Sequence, residues 1–187
     1  MKLVGISGTV TGTKTSIIVQ YVLDQVKKKY PDVNVEYVDL KTVDLQFCDG
    51  RDPHTYSGNT KEVIEQLLSA DFFLIGTPIF RSSMTGALKN LFDLVPDEVF
   101  RNKVIGFVAN GGTYQHYLVV ENQVKPVAGY FRAFVTPSYV YVTNEHFNKE
   151  NEIIDIGVLN RLDLLADELT LMHKGLKELQ DREPLVK

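Results

Sequence analysis

Three short segments carry the residue types that could do chemistry. The first is Ser7-Gly8-Thr9-Val10-Thr11-Gly12-Thr13-Lys14-Thr15-Ser16. Its two glycines let the backbone turn tightly and bring amides near a ligand, its hydroxyls can donate to anionic oxygens, and Lys14 adds a positive charge. A helix beginning here would aim its amino end at the same place, which suits a phosphate. The spacing is not that of a P-loop, because Thr13 separates Gly12 from Lys14, nor is it GxGxxG. The plainer reading is a strand-to-helix turn with a polar cap. The second segment is Gly76-Thr77-Pro78-Ile79-Phe80-Arg81-Ser82-Ser83. Pro78 stiffens it, Ile79 and Phe80 offer a flat apolar wall, and the serines offer donors, with Ser83 also placed to cap a helix. Phe80 alone reads equally well as core. The third is Asn110-Gly111-Gly112-Thr113, where paired glycines admit a tight turn or the close approach of bare backbone to a ligand.

The elements that must position these segments follow from the apolar rhythm. Strands are predicted at 3–6, 33–38, 72–75, 104–109 and 139–142. Helices are predicted at 15–29, from Asn59 or Thr60 to about Ala70, at 84–94, from about Tyr114 to Ala128, and from about Asp155 to Gln180. Phe72-Phe73-Leu74-Ile75 is apolar without a break, as a central parallel strand covered on both faces should be. Repeated β-α units imply an α/β fold of the doubly wound, flavodoxin-like kind, with five parallel strands in the order 2-1-3-4-5 and helices on both faces. The three segments then sit at the carboxyl ends of strands one, three and four. These are neighbours around the switch point between one and three, where such folds bind ligands. Phosphate at the first loop and a flat ring between the second and third is a layout that suits FMN.

The chain of 187 residues is expected to form one domain, 1–187. A net charge of −4 gives no reason to expect a nucleic acid or an anionic membrane surface. The amino terminus is too short in apolar residues for a signal-peptide core, no stretch is long enough to span a bilayer, and the single cysteine, Cys48, suits a reducing compartment. The expectation is a cytoplasmic protein. The four histidines have no metal-ligand spacing, and Cys48, in a long loop at 40–58, lacks a CxxC partner. Asp163, Asp167 and Glu168 read as a solvated helix face, and Tyr139 with Tyr141 as strand packing. A phosphorylated receiver domain would need acidic residues where Ser7-Gly8-Thr9 and Thr77-Pro78 stand.

Gly76-Thr77-Pro78-Ile79-Phe80 followed by Gly86-Ala87-Leu88-Lys89-Asn90 resembles the NADPH-dependent FMN reductase family. Asn110-Gly111-Gly112-Thr113, then His116 and Val124-Lys125-Pro126-Val127, is especially similar to the flavin reductases of two-component alkanesulfonate monooxygenase systems. The similarity covers nearly the whole chain and is strongest from Ser69 to Tyr141. It implies FMN as cofactor and NADPH or NADH as co-substrate, with Ser7, Thr9, Thr13, Lys14 and Thr15 at the phosphate. Pro78, Ile79, Phe80, Arg81 and Ser82 would line the ring together with Asn110, Gly111, Gly112 and Thr113, and Arg81, Gly111 and Gly112 would orient it. It further implies a homodimer or homotetramer with the helix after Gly86 at the contact, and a monooxygenase partner. Two departures stand out. The first loop lacks the usual serine-and-arginine pattern, and Asn122 stands near where the sulfonate reductases carry a tyrosine or histidine. The expected activity is hydride transfer from NAD(P)H to FMN and on to a soluble acceptor, with no general acid or base required. Its rivals are a quinone, azo or metal-ion reductase that keeps FMN bound and, in a different class, a flavodoxin-type electron carrier.

Overall fold

The computed structural model describes residues 1–182, with side chains through Leu179. Five strands alternate with helices: β1 (Lys2–Ser7), α1 (Lys14–Lys29), β2 (Asn34–Asp39), α2 (Gly58–Leu68), β3 (Phe72–Pro78), α3 (Gly86–Leu94), β4 (Val104–Gly111), α4 (Lys125–Tyr130), β5 (Phe134–Thr143) and α5 (Ile156–Arg182). All pairings are parallel, in the order β2-β1-β3-β4-β5. The expected fold class and strand order are therefore observed.

Alternation along the strands divides the interior into two layers. Leu3, Phe72, Leu74 and Val108 face α1 and α5, where Ile18, Val19, Val22, Leu162, Leu165 and Leu169 complete a fully buried layer. Val4, Ile6, Phe73, Ile75 and Phe107 face α2, α3 and α4, and pack on Leu67, Leu88, Leu91 and Phe100. All seven residues of β3 are buried, as a strand covered on both faces requires. No described helix is long and apolar enough to cross a membrane.

Several boundaries differ from the sequence reading, each for a physical reason. The expected helix at 114–128 is broken into a 3₁₀ turn at Tyr114–His116, a π turn at Val120–Val124 and the short α4. Pro126 has no amide to offer the Asn122 carbonyl, and its ring would crowd that carbonyl in regular winding. Strand β5 begins five residues earlier than expected and contains Pro137. Proline is tolerated there because β5 lies at the sheet edge, where the register with β4 shifts between Ile105 and Phe107. Helix α3 starts at Gly86, capped by Thr85 rather than Ser83. Thr60 does not cap α2; its hydroxyl accepts the Gln46 amide and pins the long 40–58 loop. Asn90 on α3 holds the same loop twice, accepting from the Cys48 amide at 2.8 Å and donating to the Gln46 carbonyl at 3.0 Å. Nor is the acidic face of α5 merely solvated. Asp163 accepts from the Tyr21 hydroxyl, and Asp167 accepts from Tyr30 and Lys29, so both tie α5 to α1.

On the same layer His173 lies flat against Phe72, ring centroids 4.4 Å apart and planes 4° from parallel, with Nε2 buried and without a partner. Burial pushes its pKa below the ordinary value; Lys177 and the amino terminus push the same way, and Asp71 opposes them. The unfolded chain therefore takes up a proton first as pH falls below about 6.5, and folding stability drops through that range. His173→Phe keeps the flat stack and removes the titration. Urea unfolding between about pH 7 and pH 5 should show a shallower decline for His173→Phe than for the wild type, and identical slopes would contradict this account.

Candidate functional site

The site begins where β1 ends. The Gly8 amide donates to the Gly76 carbonyl at 2.7 Å, which seats the first loop against β3. Thr85 donates its hydroxyl to the Gly8 carbonyl while accepting from the Leu88 amide, so the cap of α3 also holds this loop. Gly12 turns with φ +73° in open space, a backbone state that side chains resist. Thr13 follows at the N-cap of α1, but its side chain makes no capping bond, and the first turn contains no acid. The amides of Lys14, Thr15 and Ser16 find no acceptor among the described residues. A helix start with free amides carries about half a positive charge and suits an anion.

The hydroxyls of this loop divide into two groups. Ser7, Thr9 and Thr15 are buried. Ser7 faces the Ser16 hydroxyl at 3.1 Å, Thr9 closes the loop on the Thr11 carbonyl, and Thr15 donates to Asn110 Oδ1 at 2.6 Å. Thr11 and Thr13 are exposed. Lys14 extends to Asn144 Oδ1 at 2.7 Å, beyond the end of β5, with its ammonium 4.9 Å from the Phe147 ring centre.

The second segment folds into a tight hairpin. Phe80 and Ser83 exchange both backbone hydrogen bonds, at 2.9 and 3.0 Å. Between them Arg81 and Ser82 have φ +48° and +63°. Two consecutive left-handed residues match the twist of a two-residue hairpin, yet neither is glycine, and each costs about 1 kcal/mol or more. Ties to the next segment hold this turn: Ser83 donates to Gln123 Oε1 at 2.6 Å, Gln123 Nε2 donates to the Ser82 carbonyl at 2.8 Å, and Ser82 Oγ lies 3.3 Å from His116 Nδ1. Pro78 is buried, Ile79 half-buried, and Phe80, Arg81 and Ser82 are exposed at the rim. The Ile79 amide donates to the Asn110 carbonyl at 2.8 Å, joining the second loop to the third.

In the third loop Gly111 leaves room for another group. A Cβ there would lie 2.1 Å from the Tyr141 hydroxyl, which donates to the Thr113 carbonyl at 2.8 Å. Gly112 and Thr113 are exposed beside it. Asn110 points its amide oxygen at Thr15 and so ties β4 to α1. Three contributors escaped the sequence reading: Asn144, Tyr114 and His146. The Thr143 amide donates to His146 Nδ1 at 2.9 Å, which leaves Nε2 to carry the proton and donate to the Tyr114 hydroxyl at 2.7 Å. Tyr114 lies just past the carboxyl end of β4, and Asn144 and His146 just past that of β5, so the end-of-strand rule could have found the latter two had it been applied to β5.

A hollow of about 480 Å³ lies between α3 and α4, lined by Phe92, Val95, Val127 and Tyr130 among others. No glycine is among its lining residues and it lies away from the carboxyl ends of the strands, so the strand ends remain the better candidate. No group of three His, Cys, Asp or Glu residues that could hold a metal occurs among the described residues. Asn122 is exposed in the π turn.

The contact at Gly111 yields a double-mutant test. Gly111→Ala should cost about 1–3 kcal/mol through overpacking against the Tyr141 hydroxyl. Tyr141→Phe removes that oxygen, so Gly111→Ala should cost clearly less in the Tyr141→Phe background, as read by chemical unfolding. Simple additivity would show that the crowding is not felt.

With the geometry established, the comparisons with known proteins agree. The family model described as NADPH-dependent FMN reductase matches residues 1–147. The chain is 55% identical over 177 residues to an NAD(P)H-dependent FAD/FMN reductase of Geobacillus thermodenitrificans, covering 95% of this chain and 96% of that one. It is 23% identical over 171 residues to the NADH-dependent FMN reductase SfnF of Pseudomonas putida, covering 91% of each. A solved structure of an NADH:FMN oxidoreductase, EMOB, in its apo form shares the fold with a TM-score of 0.76 at 23% identity, over 91% of this chain and 89% of that one. The open start of α1, the glycine loop beside it and these matches lead to one conclusion: the chain belongs to the NADPH-dependent FMN reductase family.

Proposed function

We propose that this chain is an NAD(P)H-dependent FMN reductase, and the observation that carries the reading is the uncapped start of α1 at the switch point of the sheet. When bound, FMN supplies the redox chemistry, taking a hydride from NAD(P)H and handing electrons to an acceptor. The residues of the chain bind and orient. The amides of Lys14, Thr15 and Ser16, the Thr13 hydroxyl and the Lys14 ammonium hold the phosphate. Ser7, Thr9 and Thr15 shape the loop from beneath. Pro78, Ile79, Phe80, Arg81 and Ser82 form one wall for the ring, and Gly111, Gly112 and Thr113 the other, with Asn110 bracing β4 against α1. The ties between these loops fix the walls before any ligand arrives, which favours stacking of two planar rings at reacting distance. Arg81, exposed at the rim, meets a phosphate of the nicotinamide nucleotide.

The hollow between α3 and α4, where Phe92, Val95, Val127 and Tyr130 stand beside Lys89, Asp93 and Asp97, supports a homodimer or homotetramer joined through α3. The cytoplasm, where reduced nicotinamide nucleotides are held, is the fitting compartment. A monooxygenase that consumes reduced flavin is the partner favoured by the resemblance at the third loop.

The test is anaerobic oxidation of NADPH and NADH with and without added FMN, read beside the spectrum of the purified protein after gel filtration. Multiple turnovers of free FMN by a colourless protein are expected. A protein that stays yellow and reduces quinone, azo or ferric acceptors would favour the tightly bound form. One that takes no electrons from either nucleotide would be a carrier. Absence of flavin-fluorescence quenching at micromolar protein would end the flavin reading. Arg81→Asn preserves the left-handed turn, since asparagine tolerates it, and removes the charge. It should raise KM for NADPH roughly fivefold or more while leaving kcat nearly unchanged; unaltered kinetics would remove Arg81 from nucleotide binding.

A further inference from the structure

We infer that Lys41 is a second cation for the FMN phosphate and a determinant of the preference for FMN over riboflavin; this rests on the flavin reading above. Lys41 lies in the turn that follows β2. That turn is anchored: Leu40 is buried and its amide donates to the Ser7 carbonyl at 3.0 Å, while the Thr42 amide and hydroxyl both donate to the Asp39 carbonyl at 3.0 Å. The Lys41 amide is held by Asp39 Oδ1 at 3.1 Å. From this fixed base the Lys41 side chain crosses to the first loop, and Nζ donates to the Gly12 carbonyl at 3.2 Å.

Gly12 is the left-handed residue immediately before the N-cap of α1, so the ammonium stands beside the helix start whose amides lack acceptors. One of its three donors is used on Gly12, which leaves two for a ligand. The other cation of this region is drawn the opposite way across the sheet. Lys14 reaches Asn144 at the end of β5, whereas Lys41 arrives from β2, the far edge. The two ammonium groups thus approach the cradle from opposite sides.

The local charge balance gives Lys41 a reason to be there. The Asp39 carboxylate lies behind the loop, with Oδ2 accepting from Ser16 at 3.3 Å. An incoming phosphate would meet that negative charge, and Lys41 offsets it. The first loop carries no arginine, and a lysine from the neighbouring strand end adds its charge to that of Lys14.

FMN and riboflavin share the ring and ribityl chain and differ in the phosphate, so the pair isolates this contact. Fluorescence-quenching titrations of both flavins should be run on the wild type, Lys41→Ala and Lys41→Arg. Lys41→Ala should weaken FMN about three- to tenfold at low salt and leave riboflavin unchanged. Lys41→Arg should retain most of the FMN affinity, and the difference between Lys41→Ala and wild type should shrink in about 1 M salt. Unchanged FMN affinity in Lys41→Ala would overturn the proposal. So would an equal loss for both flavins, which would mean that Lys41 only holds the loop in shape. Failure of the wild type to bind FMN would instead sink the flavin reading and this assignment with it.

Discussion

A helix start that has no internal acceptors is the constraint around which this end of the molecule is organised. Many helices satisfy one of their first amides with a serine, threonine or aspartate side chain. Here Thr13 occupies the capping position without capping, and no acid stands in the first turn. The free amides remain competent because the rest of the loop is held without them. Thr9 folds the loop on itself, Gly8 is fixed to β3 and to the α3 cap, and Thr15 is braced by Asn110. The strand order then decides what surrounds this positive end. With β1 between β2 and β3, the turns after β2, β3 and β4 all open toward it.

The same ties explain how loops can serve as a rigid surface. The hairpin at Arg81 and Ser82 stores backbone strain, and Gln123, His116 and the Phe80–Ser83 exchange hold it. The third loop is held from the other side by Tyr141 and by the Tyr114–His146–Thr143 chain. A ligand bound as proposed would find walls already set, so less of its binding energy would go into ordering the protein.

Much of this was legible in the sequence. Unbroken apolar runs such as 72–75 announce a buried parallel strand, and the glycine-rich breaks at 8–12 and 111–112 mark the carboxyl ends. What stayed hidden was tertiary. The hydroxyls of Ser7, Thr9 and Thr15 look identical to those of Thr11 and Thr13 in a string of letters, yet only burial separates those that shape the loop from those that face outward. Asn144, Lys41 and Tyr114 come from segments far apart in the chain, each just past a strand end, and only the fold brings them to one end of the sheet. The segment from Tyr114 to Ala128 has helical spacing, but its proline at 126 breaks the regular ladder into a π turn. The sequence pattern marks β5 only from Tyr139, because Pro137 interrupts a run that only an edge position tolerates.

That proline has a further consequence. An exposed, unpaired strand edge is a template on which a second sheet can grow. Pro137 has no amide to offer an added strand, and the irregular register beside Gly106 disturbs the ladder at the same level. The opposite rim, β2, is only six residues long and carries Asn34, Glu36 and Asp39. Both borders are thereby poor substrates for edge-to-edge growth. Copies of this protein are steered away from fibrous stacking, and any lasting association between them is left to the helical faces.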